Sequence, residues 1–376
     1  MHVLLRAFAD ELARCGMRAA CTSPGSRSTP LVLALAREPR LETTSHVDER
    51  AAAFFAVGHA KATGRPVAIA CTSGTAAAEY LPAVVEASEA RVPLLVLTAD
   101  RPPELREVGA GQAVDQIKLF GDAAKWFFEV GDHEPTPERL RWMRALACRA
   151  YWTAATGRPG PVHLNFALRE PLVPTDPLGA DDSGRPDGRP FVTRMAPTAQ
   201  LAPEALAGVA EIVARSPRGV IVSGREERTA DLPAAVAALG AATGYPVLAD
   251  PLGGARRGPA AIAHYDALLR DEAFAAARRP QLVIRVGDLP TSKPLRSWLA
   301  GLDATQVAID PDGAWQDPDA VLDLSLGLDP ASTLSALAAL AHATPEPGWL
   351  AGWRAADATA AEAIATALGD ELGDPR

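Results

Sequence analysis

The carboxylate best placed to do chemistry in this sequence is Glu49, in the stretch SHVDERAAAFFAVGHAKATG at residues 45–64. A short apolar stretch closes on His46-Val47-Asp48-Glu49, and an Ala/Phe-rich helix begins at once. Glu49 is therefore expected at the carboxyl end of a strand, where the chain turns into a helix and open α/β sheets place their ligands. A carboxyl group held there can exchange a proton with a bound molecule. Asp and Glu are also favoured in the first turn of any helix, where they cap orphan N–H groups and suit the positive end of the dipole. Taken alone, these residues leave both readings open.

Three further loops have the same character. They are Ser23-Pro24-Gly25-Ser26-Arg27-Ser28-Thr29-Pro30, Thr72-Ser73-Gly74-Thr75 and Thr98-Ala99-Asp100-Arg101-Pro102-Pro103. They combine turn-forming glycine or proline with hydroxyls, and two of them carry an arginine, a set that suits an anionic organic ligand. Each has a plainer reading as a turn, a helix cap or a surface arginine. Four such loops at one sheet edge would be harder to explain as chance. Other motifs fail: Gly109-Ala110-Gly111 follows no strand and lacks a third glycine. The histidines make no metal-ligand spacing, so no metal ligands are predicted. Neither a G-x-x-x-x-G-K-[ST] loop nor a G-x-S-x-G elbow occurs.

The elements that must position these loops alternate regularly. In the first half the pattern predicts helices over residues 4–15, 30–37, 51–63, 75–90 and 137–156, and strands over 19–22, 43–47, 66–71, 92–97 and 161–166. Continuous apolar runs of this length between helices predict a parallel sheet. Residues 99–116 carry no strong period and read as a long excursion over the carboxyl edge, the kind of loop that tends to be functional. From residue 169 the composition shifts to proline, glycine and aspartate, which predicts a linker over 173–200. The second half repeats the logic, with helices over 205–216, 231–244 and 330–343 and strands over 219–223, 246–249, 282–286 and 305–309. An alanine-rich helix follows Gly348, and residues 369–376 read as the start of another linker. The expected fold class is α/β, with two parallel-sheet domains at 1–172 and 201–368.

A chain of 376 residues suits two domains. With 48% hydrophobic and 22% charged residues it reads as soluble and globular. The net charge of -9 and the absence of a basic run argue against nucleic acid and against a membrane surface. Cys15, Cys21, Cys71 and Cys148 are scattered without a C-x-x-C pair and read as reduced thiols of a cytoplasmic protein. The amino terminus is expected to be a first helix and not a signal peptide.

SPGSRSTP, SHVDERAAAFFAVGHAKATGRPVAIACTSGTA, LLVLTADRPPEL and GAGQAVDQ together resemble the 2-succinyl-5-enolpyruvyl-6-hydroxy-3-cyclohexene-1-carboxylate synthases, the MenD family of thiamine-diphosphate-dependent enzymes in menaquinone biosynthesis. The likeness is strong over residues 6–172 and looser in SGR, YPVLADPLGG and VGDLPTSKPL. It implies a pyrimidine-binding domain at 1–172 and a Rossmann-like middle domain at 201–368. It implies decarboxylation of 2-oxoglutarate on the cofactor and addition of the succinyl-semialdehyde unit to isochorismate. Glu49 would hydrogen-bond the aminopyrimidine ring, with Pro24, Gly25, Thr72, Ser73, Gly74 and Thr75 bordering it. Ser26, Arg27, Arg101, Gln112 and Lys293 would contact substrate. The family's third domain, which holds Mg2+ (or Mn2+) and the diphosphate on a G-D-G…N stretch, has no counterpart in these residues. The expectation is therefore half an active site on a truncated or split chain, completed in a homodimer, a homotetramer or with a separate diphosphate-binding chain. Alternatives are a non-catalytic binding or regulatory module, or an acetolactate-synthase type of enzyme. The latter would share Glu49 but not SPGSRSTP or TADRPPEL.

Overall fold

The structure, a computed structural model, describes residues 1–174, 181, 183–195, 199, 201–226, 229, 231–340 and 344–368. It divides into two compact units, Met1–Ala196 and Pro197–Arg376.

The first unit runs α1 (His2–Cys15), β1 (Ala19–Thr22), α2 (Thr29–Ala36), β2 (Glu42–Ser45), α3 (Glu49–Thr63), β3 (Val67–Cys71), α4 (Thr75–Ala78), α5 (Leu81–Glu89), β4 (Leu94–Asp100), β5 (Trp126–Val130), α6 (Pro137–Ala155) and β6 (Pro161–Ala167). Its six strands pair in the order β2-β1-β3-β4-β6-β5, all in parallel. Alternate residues of each inner strand feed two cores. Ala68, Ala70, Leu95, Leu97, Val162, Leu164 and Phe166 pack with α1, α2 and α6. Val67, Ile69, Cys71, Leu94 and Val96 pack with α3 and α5. Burial on both faces is what the continuous apolar runs required.

Three elements differ from the sequence expectation. The second strand ends at Ser45, and Val47 beyond it is 89% exposed, because β2 is an edge strand with one partner and a largely polar sequence. The single helix expected over 75–90 is two, because Pro82 cannot donate the backbone hydrogen bond that would carry the helix through Tyr80 and Leu81. β5 was not expected; it lies in a run of aromatic residues, Trp126-Phe127-Phe128, that shows no alternation. The segment expected to be a linker is packed on the first unit over the part described. Arg144 holds Asp181 and Ser183, the Phe191 N–H donates to Glu11, and Trp152 Nε1 donates to the Val192 carbonyl at 2.8 Å. Residues 175–180, 182, 196–198 and 200 of that stretch, and the final stretch 369–376, lie outside the described residues.

The second unit runs α7 (Pro203–Ala214), β7 (Gly219–Ser223), α8 (Leu232–Thr243), β8 (Val247–Ala249), α9 (Tyr265–Leu268), α10 (Glu272–Ala277), β9 (Leu282–Val286), α11 (Lys293–Ala300), β10 (Thr305–Ile309), β11 (Leu324–Leu326), α12 (Pro330–Leu340) and α13 (Trp349–Leu368). Its five parallel strands pair in the order β11-β10-β9-β7-β8. The short β11 was not expected from the sequence. Both units are thus parallel-sheet α/β folds. Among the described residues no helix is long and apolar enough to cross a membrane.

Helix α3 is capped by Asp48, whose Oδ1 accepts from the Ala51 N–H at 2.9 Å, and it stops at Gly64, which takes a left-handed φ of 65°. Replacing Asp48→Ala is expected to cost about 1 kcal/mol in urea unfolding. An unchanged midpoint would mean that the cap contributes nothing.

Candidate functional site

Because the strands of the first sheet are all parallel, the segments that follow β1, β2, β3 and β4 leave from one edge, and they include all four loops singled out in the sequence. After β1, Pro24, Gly25 and Ser26 are exposed and Arg27 is half-buried. Gly25 presses on the next loop so closely that a Cβ there would sit 2.3 Å from Thr72 Cβ, so only glycine fits. After β3, Thr72 and Ser73 are buried, Gly74 takes a φ of 87°, and Thr75 opens α4.

Two anchors tie this loop to the excursion after β4. Arg101 Nη1 donates to Ser73 Oγ at 2.7 Å and Nη2 to the Gly111 carbonyl at 2.8 Å. Ser73 Oγ in turn donates to the Gln112 carbonyl at 3.0 Å, which brings the Gln112 backbone against Gly74 while its side chain stays exposed. Arg27 Nη1 donates to the Leu168 carbonyl at 2.9 Å and lies 3.5 Å from the exposed carboxylate of Glu170. Its Nε is buried without a partner. Burial and the neighbouring Arg27 guanidinium hold Arg101 below its ordinary pKa. Two guanidiniums therefore lie near one another, with Asp100 and Glu170 offsetting their charge in part.

Glu49 is the first residue of α3, and the cap is made by Asp48, not by Glu49. Its charge bears on two fully buried groups, Cys71 and Tyr80. Both are pushed up, chiefly by burial and further by Glu49. The Tyr80 hydroxyl and Ser23 Oγ are buried and make no well-formed hydrogen bond. Tyr80 interacts only loosely with its neighbours Ser23 and Cys71. Lys293 belongs to the second unit, where it is exposed at the first position of α11 behind the cap made by Ser292.

Sequence reasoning missed the group that holds these loops in place. Gln116 is buried; its Oε1 accepts from the Gly74 N–H at 2.8 Å, and its Nε2 donates to the Ala99 carbonyl at 3.1 Å and to Asn165 Oδ1 at 2.9 Å. Asn165 Nδ2 donates to Asp100 at 2.8 Å and to Glu129 at 2.7 Å. Arg106 closes the network by pairing with both carboxylates, at 2.9 and 2.6 Å. Thr98 Oγ1 donates to Asn165 Oδ1 at 2.7 Å and lies 2.8 Å from His163 Nε2. The available signal was polarity out of place, because His163 and Asn165 interrupt the apolar run PVHLNF.

Residues 3–119 match the family described as "Thiamine pyrophosphate enzyme, N-terminal TPP binding domain". Residues 191–375 match "Middle domain of thiamine pyrophosphate". The chain is similar to proteins named 2-succinyl-5-enolpyruvyl-6-hydroxy-3-cyclohexene-1-carboxylate synthase. One, from Haloquadratum walsbyi, is 44% identical over 372 residues, which cover 96% of this chain and 60% of the relative. Another, from Halobacterium salinarum, is 45% identical over 356 residues, covering 90% and 60%. A third, from Geobacillus kaustophilus, is 44% identical over 372 residues, covering 97% and 64%. The chain thus spans about 60% of the length of the curated relatives it matches.

Two outcomes follow from the network. Gln116→Leu strands the Gly74 N–H and removes the Gln116 donor from the Ala99 carbonyl and from Asn165 Oδ1, and should destabilise the fold by about 2 kcal/mol in urea unfolding; a loss within error would remove Gln116 from this role. His163 is held down to about 3 by burial. Its folded pKa lies below the ordinary 6.5, so the unfolded chain binds the extra proton. The contribution is complete above about pH 6.5 and is lost as the pH falls from there towards 3. His163→Gln should flatten the pH dependence of the unfolding midpoint across that window, and an unchanged slope would contradict the assignment.

Proposed function

The chain belongs to the thiamine pyrophosphate enzymes, whose N-terminal and middle domains it carries, and from that premise we propose that it serves 2-succinyl-5-enolpyruvyl-6-hydroxy-3-cyclohexene-1-carboxylate synthesis in menaquinone formation. The substrates are 2-oxoglutarate and isochorismate. The observation that supports this reading is the shared edge, where Glu49, the Thr72–Thr75 loop and the pair Arg27 and Arg101 leave adjacent strands of one sheet.

The residues suit the pyrimidine half of thiamine diphosphate. Gly25 and Gly74 keep two loop positions free of side chain, and buried Ser23 Oγ and Tyr80 OH, which face one another, make no well-formed hydrogen bond. Pro24, Gly25, Thr72, Ser73, Gly74 and Thr75 would border the ring, and Glu49 would hold a proton at its carboxyl group against a ring nitrogen. When bound, the cofactor supplies the nucleophilic carbon that accepts the acyl unit as carbon dioxide leaves. Arg27 and Arg101 bind and orient substrate carboxylates, with Ser26, Gln112 and Lys293 as further contacts. Mg2+ (or Mn2+) accompanies the diphosphate, on ligands other than the loops described. The site is completed in a homodimer or homotetramer, or by a separate diphosphate-binding chain, in the cytoplasm.

The test is product formation from both substrates with thiamine diphosphate and Mg2+, using the full chain alone and mixed with a diphosphate-binding domain of a relative. Glu49→Gln should lower turnover by about 100-fold or more, and Arg101→Ala should raise KM for isochorismate. A Glu49→Gln protein that binds cofactor and turns over like the parent would overturn the catalytic role. Binding without turnover in either mixture would favour a non-catalytic module.

A further inference from the structure

Outside the loops, one cluster of reactive side chains stands apart. Cys15, the last residue of α1, and Cys148, in the middle of α6, bring their Sγ atoms to 3.6 Å, with relative exposures of 7% and 1%. One turn earlier on each helix Glu11 and Arg144 form a buried ion pair at 2.8 Å, so two matched turns join the helices. Glu11 Oε1 lies 3.3 Å from Cys148 Sγ. The Val192 N–H donates to Cys148 Sγ at 3.3 Å, and the Phe191 N–H donates to Glu11. The other two cysteines, Cys21 and Cys71, sit in the core on the opposite face of the sheet with no sulfur neighbour among the described residues.

We propose that Cys15 and Cys148 are an oxidation site, a dithiol that a small peroxide converts to a disulfide joining α1 to α6. A disulfide needs its sulfurs near 2 Å, so the pair must close by about 1.6 Å, a distance that side-chain rotation can supply. Cys148 accepts from the Cys15 thiol and from the Val192 N–H, which lower its pKa against burial and against Glu11, to which its own thiol donates, whereas Cys15, the donor, is raised. Cys148 is the sulfur we assign to the attack. It bonds to one peroxide oxygen, the O–O bond breaks, and the departing hydroxide takes a proton to become water. Cys15 then attacks the Cys148 sulfenic acid, the S–OH bond breaks, and the second hydroxide leaves with the Cys15 proton. Two thiols lose two electrons in total, and one peroxide becomes two waters. Val192 covers Cys148 by its N–H contact and is itself held by the bond from Trp152, so this contact must open to admit peroxide.

The experiment treats the full chain with hydrogen peroxide in the presence of a metal chelator. Free thiols are then alkylated in denaturant, and the unreduced peptides are mapped by mass. The expected result is loss of two of the four alkylatable thiols, one linked peptide containing Cys15 and Cys148, and full recovery on dithiothreitol. Cys148→Ser should abolish the link, and Cys15→Ser should leave Cys148 as a sulfenic or higher acid. Four alkylated thiols after treatment, separate sulfonic acids on Cys15 and Cys148, or a link between other cysteines would each overturn the proposal. The parent map decides even if a variant fails to fold.

Discussion

The site depends on how the chain satisfies buried amides at the carboxyl ends of β3, β4 and β6. Three strands end side by side with Gly74, Ala99 and Asn165 presenting groups that need partners away from water. One side chain, Gln116, meets all three, because an amide can accept at one end and donate twice at the other. A buried donor left unmet costs more than a made bond contributes, so the long excursion after β4 has to return to this point. Its return sets where Gly111 and Gln112 lie, and with them the bonds to Arg101 and Ser73. Much of what looks like a flexible loop in composition is thereby fixed.

Adjacent acids at the start of α3 divide two jobs that a sequence cannot separate. Both Asp48 and Glu49 are acceptable in a first turn, yet only one side chain reaches the Ala51 N–H. Asp48 does so because its shorter side chain sits at the cap with extended backbone, at φ −102° and ψ 120°. The Glu49 carboxylate is not used by the cap, and its charge bears on buried Cys71 and Tyr80. The helix cap therefore falls to Asp48 and leaves the Glu49 carboxylate uncommitted to the cap.

The architecture was legible because burial on both faces leaves an unmistakable run of apolar residues. β1, β3, β4, β6, β7 and β9 follow directly from those runs. Edge strands lacked that pressure: β2 is polar, β5 is an aromatic run without alternation, and β11 is three residues long. The supposed linker misled because proline and glycine are frequent there, while its anchors, Glu11, Arg144 and Trp152, are more than 30 residues away or on another helix. Of the site, the loops and their glycines could be read, since close approach and positive φ select glycine. Gln116 could not, because its partners come together only when the sheet closes.

The arginines of this edge can be sorted by what neutralises them. Arg106 lies against both Asp100 and Glu129, so its charge is consumed within the fold. Arg27 and Arg101 are held instead by neutral acceptors: the Leu168 carbonyl for one, Ser73 Oγ and the Gly111 carbonyl for the other. Carbonyl and hydroxyl anchors fix a guanidinium in place while leaving most of its charge available. Among the described residues the carboxylate paired with Arg27, on Glu170, is 70% exposed and 3.5 Å away, where solvent screens it. Burial and the Arg27 guanidinium disfavour the charge on Arg101, and Asp100 and Glu170 offset that only in part. The two guanidiniums are thus positioned by neutral anchors, whereas that of Arg106 is positioned by carboxylates.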